Sequence, residues 1–420
     1  MAGLFVLGGS SYYSLLLIDS LASARVLKRL DRIALFGRNE ARLALIAKAA
    51  TTLTGGAIAI EATTRIEDCQ AAGYDLLFNQ MRFGGLAARD GDERLATEIG
   101  LPADETIGIV GVSNAVRALL GMAAYLPALQ AKPGAFTLVN FTNPCSILCQ
   151  YLTERLPGPV IGICDYPAYM RATIAEALGA QPEQLEIDYF GLNHFGLIHG
   201  ARLAGRDVFD RVRAAPLAFR PACNAYSPWL LNISWAFVHE RATIVARQRA
   251  AANRAATLLA IEAECDTLAA AGERDPRAFL ALLGKRRCDW FNLAVTPVLA
   301  RLLGMATPPL FVNCAANDPF ELGLERTIVE ASWDDAAPLG TARFDRLALP
   351  PAVRHSAEFQ LIALMKAAES RLLDAVLARD GAGVIAACLA NPMIAELAPI
   401  EAYFARLRES DPQIAGLWAA

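Results

Sequence analysis

The stretch MAGLFVLGGSSYYSLLLIDSLA, residues 1–22, decides the fold. Its residues 4–7 (LFVL) form a short apolar run, GGSS interrupts it, and YYSLLLIDSL resumes with apolar residues compatible with one helix face. That is a buried strand, a tight turn and a helix. A secretory leader would carry a basic segment ahead of its apolar core, whereas this stretch has none and places Asp19 inside its second apolar segment. Strand, turn and helix are therefore the expectation.

The same alternation recurs. RIALF ahead of Gly37-Arg38-Asn39, DLLFNQ at 75–80, TLVNF at 137–141 and VIGIC at 160–164 each read as strands between helical stretches. Alternation of this kind builds an α/β fold, a Rossmann-type doubly wound parallel sheet whose ligands collect at the carboxyl ends of the strands. After about residue 200 the texture changes to long helical stretches, Ser234–Ala270 and Glu358–Ala387, with short apolar runs such as PLFVN between them. The expected division is a dinucleotide-binding domain over 1–195 and a second, mixed α+β domain over 196–420 concerned with substrate and oligomerisation.

With 420 residues, 55% of them hydrophobic, the chain can bury two substantial cores. Its net charge of −4 comes from scattered charges of both signs, so no basic field exists to hold nucleic acid or anionic lipid. No uncharged apolar run approaches the ~18 residues needed to cross a bilayer. Small molecules are the expected partners. Nine cysteines at irregular spacings, an odd number without a CxxC pair, read as reduced thiols in a cytoplasm.

Each strand-end loop has a functional and a bland reading. In the GGSS turn, the amides of Gly8, Gly9, Ser10 and Ser11 and the dipole of the following helix suit a pyrophosphate, although the full GxGxxG spacing is absent and a plain turn would look the same. Arg38, where an acidic residue would hold the ribose of NAD, suits the 2′-phosphate of NADP or is a solvated arginine. NQMRFGGLAARDGDER gathers Arg82, Arg89 and Arg94 around a double glycine, as an anion clamp or as partners of Asp90, Asp92 and Glu93. NFTNPCSI places Asn140 and Asn143 at a strand end, with amides able to bind sugar hydroxyls. Cys164 and Asp165 emerge together from a buried strand, and Asn193 and His194 leave YFGLNHFGLI (189–198) at a loop. A thiolate, a carboxylate and an imidazole from neighbouring strand ends suit Mn, Fe, Co, Ni or Zn. An inert thiol and a hydrogen-bonded core histidine are the alternatives.

Together GGSSYYSLLL, QMRFGGLAARDGDE, ETIGIVGVSNAVR, VNFTNPCSI, ICDYP and YFGLNHFG resemble, in order and spacing, glycoside hydrolase family 4. These are the nicotinamide- and metal-dependent glycosidases related to lactate and malate dehydrogenases. The resemblance runs from about residue 4 to 200 and more weakly to about 395. It implies that Cys164 and His194 bind a divalent metal, usually Mn²⁺, and that NAD or NADP takes hydride from the sugar C3. The C3 ketone then acidifies C2, elimination breaks the C1 bond, water adds and the hydride returns, an exception to two-carboxylate hydrolysis. It further implies Asp165 as acid for the leaving group, as in the α-cleaving branch. Arg89, Asn143, Asn193 and Arg286 match segments around the sugar, and the implied assembly is a homodimer or homotetramer.

Three departures stand out. Leu7 replaces a third glycine of the turn, and Gly37-Arg38 replaces the acidic residue of the second strand, so altered cofactor binding is expected. The family's YLxYY cluster, source of the C2 base, reads WLLNISWAF at 229–237, leaving Tyr226 upstream or His239 as replacements. The RGGxYYS segment reads RRCDWFN at 286–292, which reshapes the pocket. An oxidoreductase that stops after hydride transfer, and a non-catalytic relative, are therefore the competing expectations.

Overall fold

A strand covered on both faces needs apolar residues at every position, because successive side chains point to opposite sides. LFVL meets that need. In β1 (Ala2–Leu7), Phe5 and Leu7 enter one apolar core and Leu4 and Val6 the other. The structure, a computed structural model, describes residues 2–286, 289–323, 327–333, 343–344 and 349–419.

With β2 (Leu30–Phe36), β3 (Ala59–Thr63), β4 (Tyr74–Asn79), β5 (Thr137–Asn140) and β6 (Val160–Gly162), β1 forms a parallel sheet in the order 3-2-1-4-5-6. That order is the doubly wound dinucleotide fold expected from the sequence. The order reverses between β1 and β4, which opens a crevice at their carboxyl ends. Into it lead the turn before α1 (Tyr13–Ser23) and the loop between β2 and α2 (Glu40–Leu53).

Beyond β6 the sheet continues antiparallel. β7 (Leu185–Leu192) and β8 (Phe195–Leu203) make a hairpin, and β9 (Arg206–Asp207) and β10 (Leu230–Leu231) pair with β8. β11 (Leu310–Ala316) and β12 (Thr327–Trp333) fit between β6 and β7, and β13 (Arg343–Phe344) pairs with β11. A domain line at 195/196 thus falls at the start of β8, with its hairpin partner on the other side. Both cores also draw on either side of that line: Phe359, Ile362 and Tyr403 join Phe5 in one, and Ile261, Phe279 and Val298 join Leu4 in the other.

Two long helices expected from the sequence are broken. The stretch 234–270 becomes helices Trp235–His239, Arg241–Ala250 and Arg254–Ala270, and the Asn253 side chain caps the last by accepting from the Ala255 amide. The stretch 358–387 divides into Ala357–Leu377 and Gly381–Ala390, because Arg379 takes a left-handed φ of 56° and Asp380 caps the second helix. Asparagine and aspartate start helices by accepting the first free amides. Among the described residues, no helix is long and apolar enough to cross a membrane.

Candidate active site

The turn after β1 is shaped by two glycines. Gly8 has φ 93°, and a side chain on Gly9 would lie 2.7 Å from the Leu35 Cβ of β2. Both amides donate to the Phe36 carbonyl, Ser11 N donates to the Gly8 carbonyl, and Tyr13 N donates to Ser11 Oγ. The amides of Ser10 and Tyr12 are left without a protein partner among the described residues, at the start of α1, where a helix favours an anion. Gly8, Ser10, Ser11 and Arg38 line a cavity of about 940 Å³, while Gly9 lies behind the turn. Leu7 does not line the cavity: its side chain is in the core, and its carbonyl accepts from Gln80 N. Of Leu7, only the main chain thus borders the turn.

The same cavity reaches the ends of β5, β6 and β7. Cys164 follows β6, 4% exposed, and its Sγ accepts from Tyr166 N at 3.3 Å. Burial, then the charges of Glu330 and Asp165, push this thiol well above its ordinary pKa. It stays protonated until a cation or base takes its place, as metal binding requires of a thiol. Asp165 begins the helix Tyr166–Ala177 without capping it, so its carboxylate is not engaged there.

Asn193 and His194 form the two-residue turn of the β7–β8 hairpin. His194 has φ 63°, a left-handed backbone that histidine, like Asn and Asp, adopts more readily than most side chains, and its carbonyl accepts from Asn232 Nδ2 at 3.0 Å. Cys164, Asp165, Asn193 and His194 all face one cavity. Asn193 is 1% exposed and its Oδ1 has no hydrogen-bond partner among the described residues. A soft sulfur, an imidazole and an unmet oxygen on one wall fit a divalent cation with open positions for substrate. Among the described residues, no group of three His, Cys, Asp or Glu side chains could hold a metal by itself.

Opposite stands α3 (Gly85–Glu98) with the loop before it. Arg89 pairs with Glu93 at 2.5 Å and with Glu105 at 2.6 Å, and Arg82 pairs with Glu105 at 2.9 Å. Burial alone would raise the Glu105 pKa, but Arg82 and Arg89 beside it lower it to about 2. Sequence reasoning missed Glu105, although it opens the quoted ETIGIVG motif. Asn143 lines the cavity, with its carbonyl accepting from Asn114 Nδ2 at 3.0 Å. Arg286 lines it too, its guanidinium 4.6 Å from the Trp290 ring centre. The remaining RRCDWFN residues Arg287 and Cys288 lie outside the described residues.

The replacements expected for the C2 base are not there. Tyr226 is 93% exposed on the turn Ala222–Tyr226 and lines no part of the cavity, and His239 stacks on Trp235 outside it, leaving Phe237 at the wall. Tyr226 is corrected on this ground: its turn points it to solvent.

Comparison with known proteins now has geometry to meet. Residues 4–180 match the sequence model described as family 4 glycosyl hydrolase. Those residues, less than half of the chain, are similar to that family. The 6-phospho-beta-glucosidase BglT of Thermotoga maritima is 29% identical over 208 residues, 49% of this chain and 50% of that protein. The phospho-alpha-glucosidase PagL of Clostridium acetobutylicum is 30% identical over 124 residues, 29% of this chain and 28% of that one. The match thus spans about half the length of the first relative and less of the second. The Thermotoga maritima 6-phospho-beta-glucosidase, solved with NAD and glucose-6-phosphate, superposes with a TM-score of 0.80 at 21% identity over 97% of this chain and 98% of that one. The family 4 fold therefore extends beyond the matched segment, through β7–β12 and the helices that enclose the cavity.

Proposed function

We propose that the chain is a glycosidase that uses a nicotinamide dinucleotide and a divalent metal, Mn²⁺ first, to cleave a glycoside of a sugar phosphate. One observation carries this: a turn suited to pyrophosphate and a wall of thiol, imidazole and amide oxygen share a cavity of about 940 Å³. Bound there, nicotinamide and metal would supply hydride removal from the sugar C3 and polarisation of the resulting ketone, which acidifies C2. The chain's own residues bind, orient and move protons. Gly8, Ser10 and Ser11 seat the pyrophosphate over the start of α1. Cys164, as a thiolate, and His194 would hold the metal. Asp165, free of capping duty, holds the proton delivered to the leaving oxygen, which favours an α-linkage. Asn143, Arg89 and Arg286 orient the sugar, and Asn193 stands beside the metal histidine. Relatives named for both α- and β-linked phosphorylated glucosides support the substrate class. Arg38, exposed and without an ion pair among the described residues, supports NADP beside NAD. Free thiols at all eight described cysteines support a reducing compartment.

The test is release of a labelled aglycone from a 6-phospho-glycoside. It should require both Mn²⁺ and dinucleotide, and deuterium from solvent should enter C2. Stoichiometric net reduction of NAD(P)⁺ without aglycone release would instead establish the oxidoreductase. That second reading is favoured by one observation, the absence of Tyr226 and His239 from the cavity wall.

A further inference from the structure

Behind the Asn193–His194 turn lies a carboxylate that this chemistry leaves unused. Glu330 sits on β12 between β11 and β7 and is 0% exposed. Its Oε2 accepts from the Tyr189 hydroxyl at 2.9 Å, and its Oε1 accepts from Asn313 Nδ2 at 2.7 Å and Asn193 Nδ2 at 3.5 Å. Neutral donors from two strands and a turn surround it. Among the described residues it forms no ion pair with Lys, Arg or His.

At both asparagine contacts the Glu330 oxygen accepts, so it is the NH₂ end of each amide that faces it. Both asparagines turn their NH₂ groups inward and their oxygens away. Asn313 Oδ1 and Asn193 Oδ1 are consequently buried without a partner among the described residues. An unmet buried acceptor is costly, which leaves it open to a cation. Of the two, Asn193 lines the cavity, directly before His194.

We propose that Glu330 is a positioning residue that holds the Asn193 amide so that its oxygen faces the cation bound by Cys164 and His194. This rests on the metal-dependent reading above. Outer groups that orient a metal's surroundings commonly change its affinity by about 10–100-fold. Glutamine at 330 keeps the volume but offers both a donor and an acceptor, so the Asn193 amide is free to turn over.

The experiment uses the full chain with Glu330→Gln, Asn193→Ala and the double variant, each checked for folding by thermal melting. Mn²⁺ alone is titrated by electron paramagnetic resonance. Glu330→Gln should weaken Mn²⁺ binding by about 10–100-fold, and should add almost nothing in the Asn193→Ala background, as expected of two groups acting through one contact. Unchanged affinity, or a full additive loss in the double variant, overturns the proposal. A second measurement needs no metal. With ¹⁵N-labelled asparagine, the Asn193 side-chain NH₂, assigned by its loss in Asn193→Ala, should exchange slowly with solvent in the wild type and faster in Glu330→Gln. Equally fast exchange in both sinks the positioning role. Slow exchange in a protein that binds no Mn²⁺ keeps the orientation and removes the metal-dependent reading instead.

Discussion

Behind the strand-end wall of the cavity a buried carboxylate, Glu330, is surrounded by a hydroxyl and two amides. On the α3 wall a half-buried one, Glu105, is surrounded by two guanidinium groups. Burial pushes the first up to about 7, whereas Arg82 and Arg89 overcome burial and hold the second near 2. The difference separates what each wall has left to offer. The α3 wall has answered its own charges, so Arg89 comes to a ligand with two carboxylates already on its guanidinium. The strand-end wall has answered its carboxylate with donors and leaves the Asn193 oxygen unmet among the described residues, beside the Cys164 thiol and the His194 imidazole, which is what a cation requires.

The largest effect tests the cation side. Cys164→Ser and His194→Ala should each reduce bound Mn²⁺ below detection by elemental analysis, with catalytic turnover lost alongside. Stoichiometric metal in either variant would break the contrast, because the strand-end wall would then have no unmet need to explain.

Arg89→Ala tests the other wall. Removing one member of a buried pair strands its partners, a loss of about 3–5 kcal/mol. Chemical denaturation should show a shift of that size. A change below about 1 kcal/mol, as for exposed pairs, would mean that Glu93 and Glu105 do not hold Arg89 in place.

Acid and base should act on the two walls in opposite senses. Glu105 has a folded pKa below its ordinary 4.5, so its contribution is complete above about 4.5 and lost as pH falls toward about 2. Glu330 has a folded pKa above 4.5, so the folded chain binds the extra proton and stability declines as pH rises from about 4.5 through about 7. Each swing is on the order of 1–3 kcal/mol. Metal-free denaturation curves across this range should flatten at the acid end in Glu105→Gln and at the neutral end in Glu330→Gln. A neutral limb that stays steep in Glu330→Gln would assign it to another group.

How much of this was legible in the sequence follows from how local each cause is. The β1–turn–α1 unit could be read because four consecutive apolar residues and a double glycine specify it within a dozen positions. Cys164, Asp165 and His194 could be read because strand ends collect ligands, and the structure brings them to one cavity. The helix breaks at Asn253 and Asp380 carried a signal too, a capping residue inside an apolar pattern, which the run of alanines obscured. Tyr226 was chosen for its nearness in sequence to a missing tyrosine cluster, and nearness along the chain does not fix where a short turn points a side chain. Glu330 was out of reach. In TIVEASW it resembles the solvent-facing residue of a half-buried strand, and its Tyr189 and Asn193 donors lie 141 and 137 residues away.

The smallest expected effect concerns the far end of the cavity, where neither wall acts. Arg38 follows β2 in the position from which a dinucleotide's adenosine ribose is read, and it is exposed. Its neighbour Arg42 is occupied by Glu262 at 2.5 Å and Asp266 at 2.8 Å, and its guanidinium lies 4.9 Å from the Tyr12 ring centre. Of these two arginines at the α2 entrance, Arg38 is thus the one without an ion pair among the described residues. An exposed charge acting on a phosphate through water is screened, so Arg38→Asp should shift the ratio of NADP to NAD affinity by only about tenfold, roughly 1.4 kcal/mol. The shift should favour NAD and shrink as salt is raised. Isothermal titration with both dinucleotides at low and high salt measures it directly. A preference for NAD already present in the wild type, and unmoved by the substitution, would show that Arg38 faces solvent only and that the glycine before it, rather than the arginine, shapes this end of the pocket.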